Sequence, residues 1–422
     1  MAATLTQHSQ LPALVKMSQR LAAITQSQPE SMKSDVIFFE ILGTYYKRVI
    51  TAKEEGKLVS GLTVNFPGEI LYAMDVVPLH CESTMWTIVQ FLKQSAEVLA
   101  AGSALGLSSE VCSAHRALAG AFVTGQLPRL DMMVWSNLVC DNSAKSGELL
   151  MKLNQCPGFF LDHPFVKTDE EIKYLAGELG SLVKFLEQQT GRIMNRQRFS
   201  EIIVNVNRQI DLTREIMELR KAVPTPLPFQ SFLKLIMVDY FFPGQPEGVT
   251  YLEALRSDLA ERVRLHQGSI PVERYRVMTL FTPPIFMMAA LGKIFSEYKL
   301  ASAVEPYFCC WQEGSMDPAT PLESIAKKSF MSPLVRMYRP LDEHSLDYFV
   351  QAARDYKIDG AINFAHIGCR QTCGTLKMMK DTFNKAGLPI LNIDCDIVDS
   401  TSVHEEDVRD KIGQFVELLE DR

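Results

Sequence analysis

The residues of this chain best suited to chemistry are its cysteines, nine in all. Cys81 and Cys140 end the apolar runs "VVPLHC" and "DMMVWSNLVC", Cys369 follows the run "GAINF", and Cys112 opens the helical segment "CSAHRALAG". Thiolates bind zinc and iron–sulfur clusters, and a helix N-terminus lowers the pKa of a thiol. The four thiols therefore indicate a soft-metal site, although they match no compact ligand-spacing motif.

The other cysteines and two histidines carry weaker signals. Cys373 follows Cys369 closely, and ligation and core packing are equally supported for it. His115 and His366 are candidate ligands, although a histidine is more often a satisfied core or surface residue. Burial as small apolar side chains is the expected role of the remaining thiols, Cys156, Cys309, Cys310 and Cys395.

Composition limits the classes of function. The chain has 422 residues, 47% of them hydrophobic and 22% charged, with a net charge of -7. This length predicts two or three domains, and the acidic balance disfavours nucleic acid and anionic membranes as partners. No apolar run reaches the length of a membrane span, and the N-terminus lacks the pattern of a secretion signal. We therefore expect a cytoplasmic protein with reduced thiols.

Several familiar motifs are missing from the sequence. There is no G-x-x-x-x-G-K-[ST] for nucleotide phosphates and no G-x-G-x-x-G after a strand. H-E-x-x-H and G-x-S-x-G do not occur either. We therefore expect no ATP hydrolysis by the chain alone and no dinucleotide bound through a standard loop.

The elements that would position the thiols fall into four regions. Residues 1–55 are predicted to be helical, with Ser34 as a helix cap. Residues 56–166 alternate short apolar strands with helices, which is typical of a parallel sheet covered on both faces. Residues 167–268 are a helical linking region that begins at the cap Thr168. Residues 269–422 resume the alternation.

The predicted fold class is therefore α/β, with two flavodoxin-like parallel-sheet domains, a helical N-terminal segment and a helical linking region. In such sheets, ligands bind beyond the carboxyl ends of the strands. Cys140 of the first domain and Cys369 of the second are both expected at this edge. A crevice between the domains is the predicted site.

Four separated segments carry a resemblance to a known family. They are "FPGEILYAMDVVPLHCES", "EVCSAHRALAG", "LVCDNSAKSGELL" and the ending that begins "FAHIGCRQTCGTL". In this order they resemble the 2-hydroxyacyl-CoA dehydratase subunits and the related ATP-dependent benzoyl-CoA reductases. The resemblance covers most of residues 60 to 422.

The resemblance implies a cofactor and its ligands. Cys112, Cys140 and Cys369 are implied to hold a [4Fe–4S] cluster through three thiolates, which leaves one iron open. Cys81 is a candidate fourth ligand. Some relatives carry a double-cubane cluster and need more thiols, but this chain has Val64 or Asn65 near one of those positions. The single cluster is therefore favoured.

The resemblance also implies a reaction. One electron on the thioester carbonyl of a 2-hydroxyacyl-CoA gives a ketyl radical anion, which expels the hydroxyl group. In the family, a separate ATP-hydrolysing activator supplies this electron, and two related subunits usually pair, as a heterodimer or a homodimer. Glu69 matches the glutamate of the family, as a general base or orienting acid, although an ordinary first-turn helix acid is slightly better supported. Arg370 and Lys145 either meet CoA phosphates or are simply solvated.

Three functions stay open at this point. The chain is a catalytic dehydratase subunit, an electron-relay subunit next to a substrate-binding partner, or a reductase subunit that uses the same cluster. The sequence does not choose the acyl group.

Overall fold

The computed structural model describes residues 9–138, 140–306, 315–332, 335 and 343–422, so Cys309 and Cys310 lie outside the described residues. Eight strands form two sheets, and every strand pairing within them is parallel. The strands are β1 (Val59–Leu62), β2 (Val77–His80), β3 (Met132–Ser136), β4 (Gly158–Leu161), β5 (Tyr275–Leu280), β6 (Leu300–Val304), β7 (Gly360–His366) and β8 (Ile390–Cys395).

Helices surround both sheets. Those before the second sheet are α1 (Leu11–Gln26), α2 (Lys33–Thr51), α3 (Gly68–Ala73), α4 (Cys81–Thr87), α5 (Ala96–Ala104), α6 (Ser113–Val123), α7 (Asp141–Asn154), α8 (Asp169–Thr190), α9 (Arg196–Leu219), α10 (Ser231–Phe241) and α11 (Pro246–Arg264). The later ones are α12 (Met288–Glu297), α13 (Pro321–Met331), α14 (Glu343–Asp355), α15 (Arg370–Lys385) and α16 (Glu405–Glu420). A π-helical turn (Ile88–Leu92) follows α4, and a 3₁₀ turn (Ile285–Met287) precedes α12.

The two sheets have the same strand order. The first runs β2-β1-β3-β4 and the second β6-β5-β7-β8. In each sheet, the first strand in sequence lies in the interior, the second lies at one edge, and the chain then crosses to the other side of the first strand. The predicted α/β class with two flavodoxin-like domains is confirmed. Because the order reverses beside the first strand of each sheet, the carboxyl ends of β1 and β3, and of β5 and β7, are the expected ligand-binding edges.

Apolar side chains explain why the sheets are buried. The central strands β1, β3 and β7 are buried along their whole length, and one core joins β1 and β3 to β5 and β7 through α1, α2, α10 and α11. The opposite face of the first sheet packs against α8, α9 and α13, and that of the second against α14 and α15. Both faces are covered, as continuous apolar runs predict.

One helix departs from the expected regions. α13 follows the strands β5 and β6 in sequence, yet Ile325 and Phe330 pack in the core of the first sheet, beside α8. A segment of the C-terminal half thus completes the first α/β unit. It brings Lys328 to the carboxyl edge of the first sheet.

Helix caps were partly predictable. Thr168 caps α8, since its Oγ1 accepts a hydrogen bond from the amide of Glu171 at 3.2 Å, as expected. Ser34 does not cap α2, so this prediction was wrong: the helix begins at Lys33 with Met32 as its N-cap, and the Ser34 amide donates to Asp258 at 2.8 Å. Within the described ranges, no helix combines the length and apolarity needed to cross a membrane.

Candidate functional site

Three cysteines occupy the same structural position at three different helices. Cys112, Cys140 and Cys369 are the N-cap residues of α6, α7 and α15. Their backbones are extended or nearly so, and the helix starts at the next residue. An N-cap side chain lies against the first-turn amides, which have no partner within the helix.

One of the three sulfurs, that of Cys369, accepts a capping hydrogen bond. The Thr372 amide donates to Cys369 Sγ at 3.5 Å. The amide of Ala114 lowers the pKa of Cys112, and the amides of Asn142 and Ser143 lower that of Cys140. Each thiolate would therefore meet fixed dipoles of favourable sign.

The fold brings these three residues together from distant parts of the chain. The charges of Cys140 and Cys369 raise the pKa of Cys112, and Cys369 likewise raises that of Cys140. A Cβ atom added to Gly368 would lie 2.8 Å from Cys112 Cα, so the loop before α15 rests on the start of α6. Arg370 bridges to Asp141 at 2.8 Å and joins the starts of α15 and α7.

Burial, and not the helix dipole, sets the net pKa shift of two of these thiols. Burial raises the pKa of Cys112 and raises that of Cys140 to about 12, with the neighbouring thiols adding to it. The expected lowering by a helix N-terminus is therefore wrong in net effect, because loss of solvation exceeds the gain from the amides. In the described part of the chain, no three His, Cys, Asp or Glu side chains could hold a single metal ion.

Cys81 has a different setting from the other three. It does not end β2 but is the first residue of α4, and it is fully buried. Its Sγ lies 3.5 Å from the carbonyl oxygen of Leu79, and a Cβ atom added to Gly61 in β1 would lie 3.3 Å from it. Burial raises the pKa of Cys81, and Cys156 is the thiol that adds to this shift. Its role as a fourth ligand remains a prediction.

The other predicted ligands have protein partners. Cys373 is exposed, and its Sγ contacts the carbonyl oxygen of His366 at 3.2 Å. His366 lies between the Thr282 carbonyl oxygen and Cys395, whose Sγ is 3.6 Å from Nδ1. His115 Nδ1 is 2.7 Å from Ser146 Oγ.

A second contact joins the two halves beside Cys112. Ser113 Oγ hydrogen-bonds to Asp396 Oδ1, and Arg116 forms an ion pair with Asp399 at 3.4 Å. Asp396 Oδ1 also accepts the amide of Val398 at 3.0 Å. Asp396 and Asp399 therefore connect the loop after β8 to α6.

A cavity of about 80 Å³ lies at the carboxyl edge of the first sheet. Glu69, in the first turn of α3, lines it and is 2% exposed. Its Oε1 is 2.6 Å from Lys328 Nζ of α13. Leu138 forms part of the wall, two positions before Cys140. The predicted acid thus faces a cavity next to the cysteine site.

The sequence reasoning missed three polar residues of this cavity: Asp239, His80 and Lys328. Asp239 is exposed and contributes a carboxyl group to the cavity wall. A single acid in the apolar run "SFLKLIMVDYF" was the available signal. Burial lowers the pKa of His80 to about 3. The two candidate CoA-binding residues, Arg370 and Lys145, are exposed, unlike His80. The Arg370 side chain is 79% exposed.

Known proteins with similar sequences are acyl-CoA enzymes. The family model of the D-component of 2-hydroxyglutaryl-CoA dehydratase matches residues 63–419. The (R)-2-hydroxyisocaproyl-CoA dehydratase alpha subunit of Clostridioides difficile is 23% identical over 93% of this chain and 98% of its own length. A benzoyl-CoA reductase subunit of Thauera aromatica is 23% identical over 94% and 97%.

A further relative is the (R)-phenyllactyl-CoA dehydratase alpha subunit of Clostridium sporogenes, which is 21% identical over 90% of this chain and 94% of its own length. Dehydratases and a reductase thus match at nearly the same identity. The family model covers seven of the eight strands, β2 to β8, and all three N-cap cysteines. The chain belongs to the 2-hydroxyglutaryl-CoA dehydratase D-component family.

Proposed function

We propose that the chain is the iron–sulfur subunit of a 2-hydroxyacyl-CoA dehydratase. One observation carries the proposal: three cysteines from distant segments cap three helices at one place, beside a cavity lined by a buried glutamate. Relatives that are themselves named as single subunits of a dehydratase or a reductase support a second polypeptide as partner. The acyl-CoA substrate and an ATP-hydrolysing activator are parts of the proposal.

The donor set fits a [4Fe–4S] cluster. Cysteine thiolates are the usual ligands of such clusters, and burial together with the neighbouring Cys140 and Cys369 raises the pKa of Cys112, which supports the proximity of the three thiols. Cys112, Cys140 and Cys369 would hold it, with the Thr372 amide donating to the sulfur of Cys369. When bound, the cluster supplies one low-potential electron to the thioester carbonyl.

The cavity residues divide the proton chemistry between them. Glu69 is paired with Lys328 and is the proposed base that takes the β-proton of the acyl group. Asp239, on the cavity wall, is the proposed acid that protonates the departing hydroxide to water. The cavity has room for several waters or a short acyl group and not for the CoA moiety, so the thioester would enter acyl end first.

Anaerobic turnover tests this function. The full chain, its partner subunit and an activator are combined with ATP and (R)-2-hydroxyisocaproyl-CoA, (R)-phenyllactyl-CoA or benzoyl-CoA. We expect a 2-enoyl-CoA from a hydroxyacyl substrate, and we expect Glu69→Gln to lower its rate by about 10²-fold or more. Equal rates for Glu69→Gln and the unmodified protein would remove Glu69 from this role.

A reductase is the second candidate, because the benzoyl-CoA reductase relative matches as much of the chain as the dehydratase relatives do. The same assay separates the two functions. Reduction of benzoyl-CoA without dehydration of either hydroxyacyl-CoA would replace the first proposal by the second.

A further inference from the structure

His80 stands at the wall of the cavity without a role in the proton chemistry described above. It is the last residue of β2 and is 2% exposed. Its ring stacks on Tyr240 with centroids 4.6 Å apart and planes inclined by 13°. Its amide donates to Tyr45 Oη at 2.9 Å. The ring orientation is therefore fixed by packing on one side and by the backbone on the other.

The hydrogen bond at Nδ1 fixes the tautomer. His80 is the N-cap of α4, and Nδ1 accepts the amide proton of Ser83 at 3.2 Å. A ring nitrogen that accepts a hydrogen bond uses its lone pair and carries no hydrogen. The imidazole is therefore neutral, and its hydrogen is on Nε2. His80 thus offers a single N–H donor at a fixed place.

That donor has no partner in the described part of the chain. Nε2 is buried and makes no hydrogen bond there, and His80 is one of the residues that line the cavity, with Glu69, Asp239 and Lys328. Buried donors are nearly always paired. An acceptor atom of a bound ligand would give the Nε2–H group of His80 its hydrogen-bond partner.

We infer that His80 Nε2–H donates a hydrogen bond to the thioester carbonyl oxygen of the bound acyl-CoA. The inference rests on the proposed function and adds a catalytic residue to it. A 2-hydroxyl group can donate to the carboxylate of Glu69, whereas a carbonyl oxygen only accepts and matches a group that only donates. A neutral, fixed donor strengthens its hydrogen bond as negative charge develops on that oxygen.

Two substitutions distinguish the capping role of Nδ1 from the donor role of Nε2. In His80→Asn, the amide oxygen can replace Nδ1 as the cap of α4, but no donor reaches the position of Nε2. In His80→Gln, the amide nitrogen reaches the position of Nε2, but the cap is lost. His266→Asn, at an exposed position, is the matched control.

Binding of a thioester is compared with binding of its thioether, in which CH₂ replaces the carbonyl group. Three thioesters, (R)-2-hydroxyisocaproyl-CoA, (R)-phenyllactyl-CoA and benzoyl-CoA, are titrated, and the tightest is paired with its thioether. We expect the unmodified protein and His266→Asn to prefer the thioester by about tenfold. His80→Asn should bind both with nearly equal affinity, and His80→Gln should keep most of the preference.

The outcomes distinguish this inference from the function beneath it. Thioester binding with the same preference in His80→Asn as in the unmodified protein overturns the role of His80 and leaves the proposed function standing. No binding of any of the three thioesters overturns both. If the substituted chains do not fold, infrared spectra of the ¹³C=O thioester on the unmodified protein decide: a lowered carbonyl stretch supports the hydrogen bond, and an unshifted one overturns it.

Discussion

At the scale of single residues, the site combines two opposing effects on its thiols. Helix-start amides favour a thiolate at Cys112 and Cys140, while burial and neighbouring thiols favour the protonated form more strongly. Without a metal, these two thiols are therefore protonated at neutral pH. Binding of the proposed cluster would release their protons, so its assembly should become more favourable as pH rises.

His115 gives a residue-scale prediction that needs no cofactor. Burial lowers its pKa to about 4, against an ordinary value of 6.5, with the charge of Asp141 opposing this in part. Because the folded pKa is depressed, the unfolded chain binds the extra proton between these values. The stabilisation is full above about pH 6.5 and is lost as pH falls towards 4, by about 3 kcal/mol.

The prediction is measured by urea unfolding of the metal-free protein at several values between pH 7 and pH 4. His115→Asn removes the titrating ring, and its free energy of unfolding should fall by about 3 kcal/mol less than that of the unmodified protein over this range. His266→Asn, at an exposed position, serves as the control. Identical pH profiles for His115→Asn and the unmodified protein would show that His115 does not titrate as described.

At the scale of elements, the start of α6 is positioned by a close helix crossing. A Cβ atom on Gly120 of α6 would lie 1.8 Å from the Val98 carbonyl oxygen of α5, and one on Gly102 would lie 2.1 Å from that of Arg116. Neither glycine breaks its helix. The two backbones touch where the glycines meet, which fixes α6 and with it Cys112.

Gly120→Ala tests this crossing. The added methyl group meets backbone that cannot move without separating α5 from α6, so we expect a loss of about 2–4 kcal/mol in the free energy of unfolding. The matched change Gly177→Ala in α8 places the methyl group in open space and should raise stability by up to about 1 kcal/mol. Chemical denaturation of both variants makes the comparison. Equal stability of the two variants is the contradicting result.

The elements also show what the sequence could reveal. Alternating apolar strands and helices were enough to predict both parallel sheets, because that periodicity is local. The end of β3 was predicted too late: the sequence places Cys140 at the end of the strand, but the strand stops at Ser136 and Cys140 is the N-cap of α7. The sequence did not indicate the contact between Gly102 and Gly120, because it lies between two helices and leaves no local pattern.

Non-local packing accounts for the rest of what was missed at the site. Lys328 reaches Glu69 because α13 packs on the first sheet, and nothing near Lys328 in sequence indicates this. His80 looked like the end of a strand, and its role as a cap depends on the unexpected start of α4 at Cys81. The cysteines themselves were found from their positions next to predicted elements and from the resemblance of the flanking segments.

At the scale of the whole molecule, the site exists only when both halves meet. Cys112 and Cys140 come from the first sheet region, and Cys369 from the second. The ion pair between Arg370 and Asp141 and the hydrogen bond between Ser113 and Asp396 join the halves around the three thiols. A change that separates the halves should therefore remove the ligand set without touching a cysteine.

Gly368→Ala is such a change. Its methyl group would meet the backbone of Cys112 at 2.8 Å, so the loop that carries Cys369 must move away from α6. We expect this variant to lose at least half of its bound iron after anaerobic purification. Gly374→Ala, within α15, meets nothing within 4 Å and should keep all of its iron. Full iron content in Gly368→Ala would show that the site tolerates separation of the two loops.

The central claim is that Cys112, Cys140 and Cys369 together hold one [4Fe–4S] cluster. Its most direct test is the iron and sulfide content of anaerobically purified protein, measured for the unmodified chain and for each Cys→Ser variant. We predict about four irons per chain, a loss of most of them in each of the three variants, and no loss in the control Cys156→Ser. Full iron retention in all three variants would contradict the claim, and about eight irons per chain would indicate a double-cubane cluster instead.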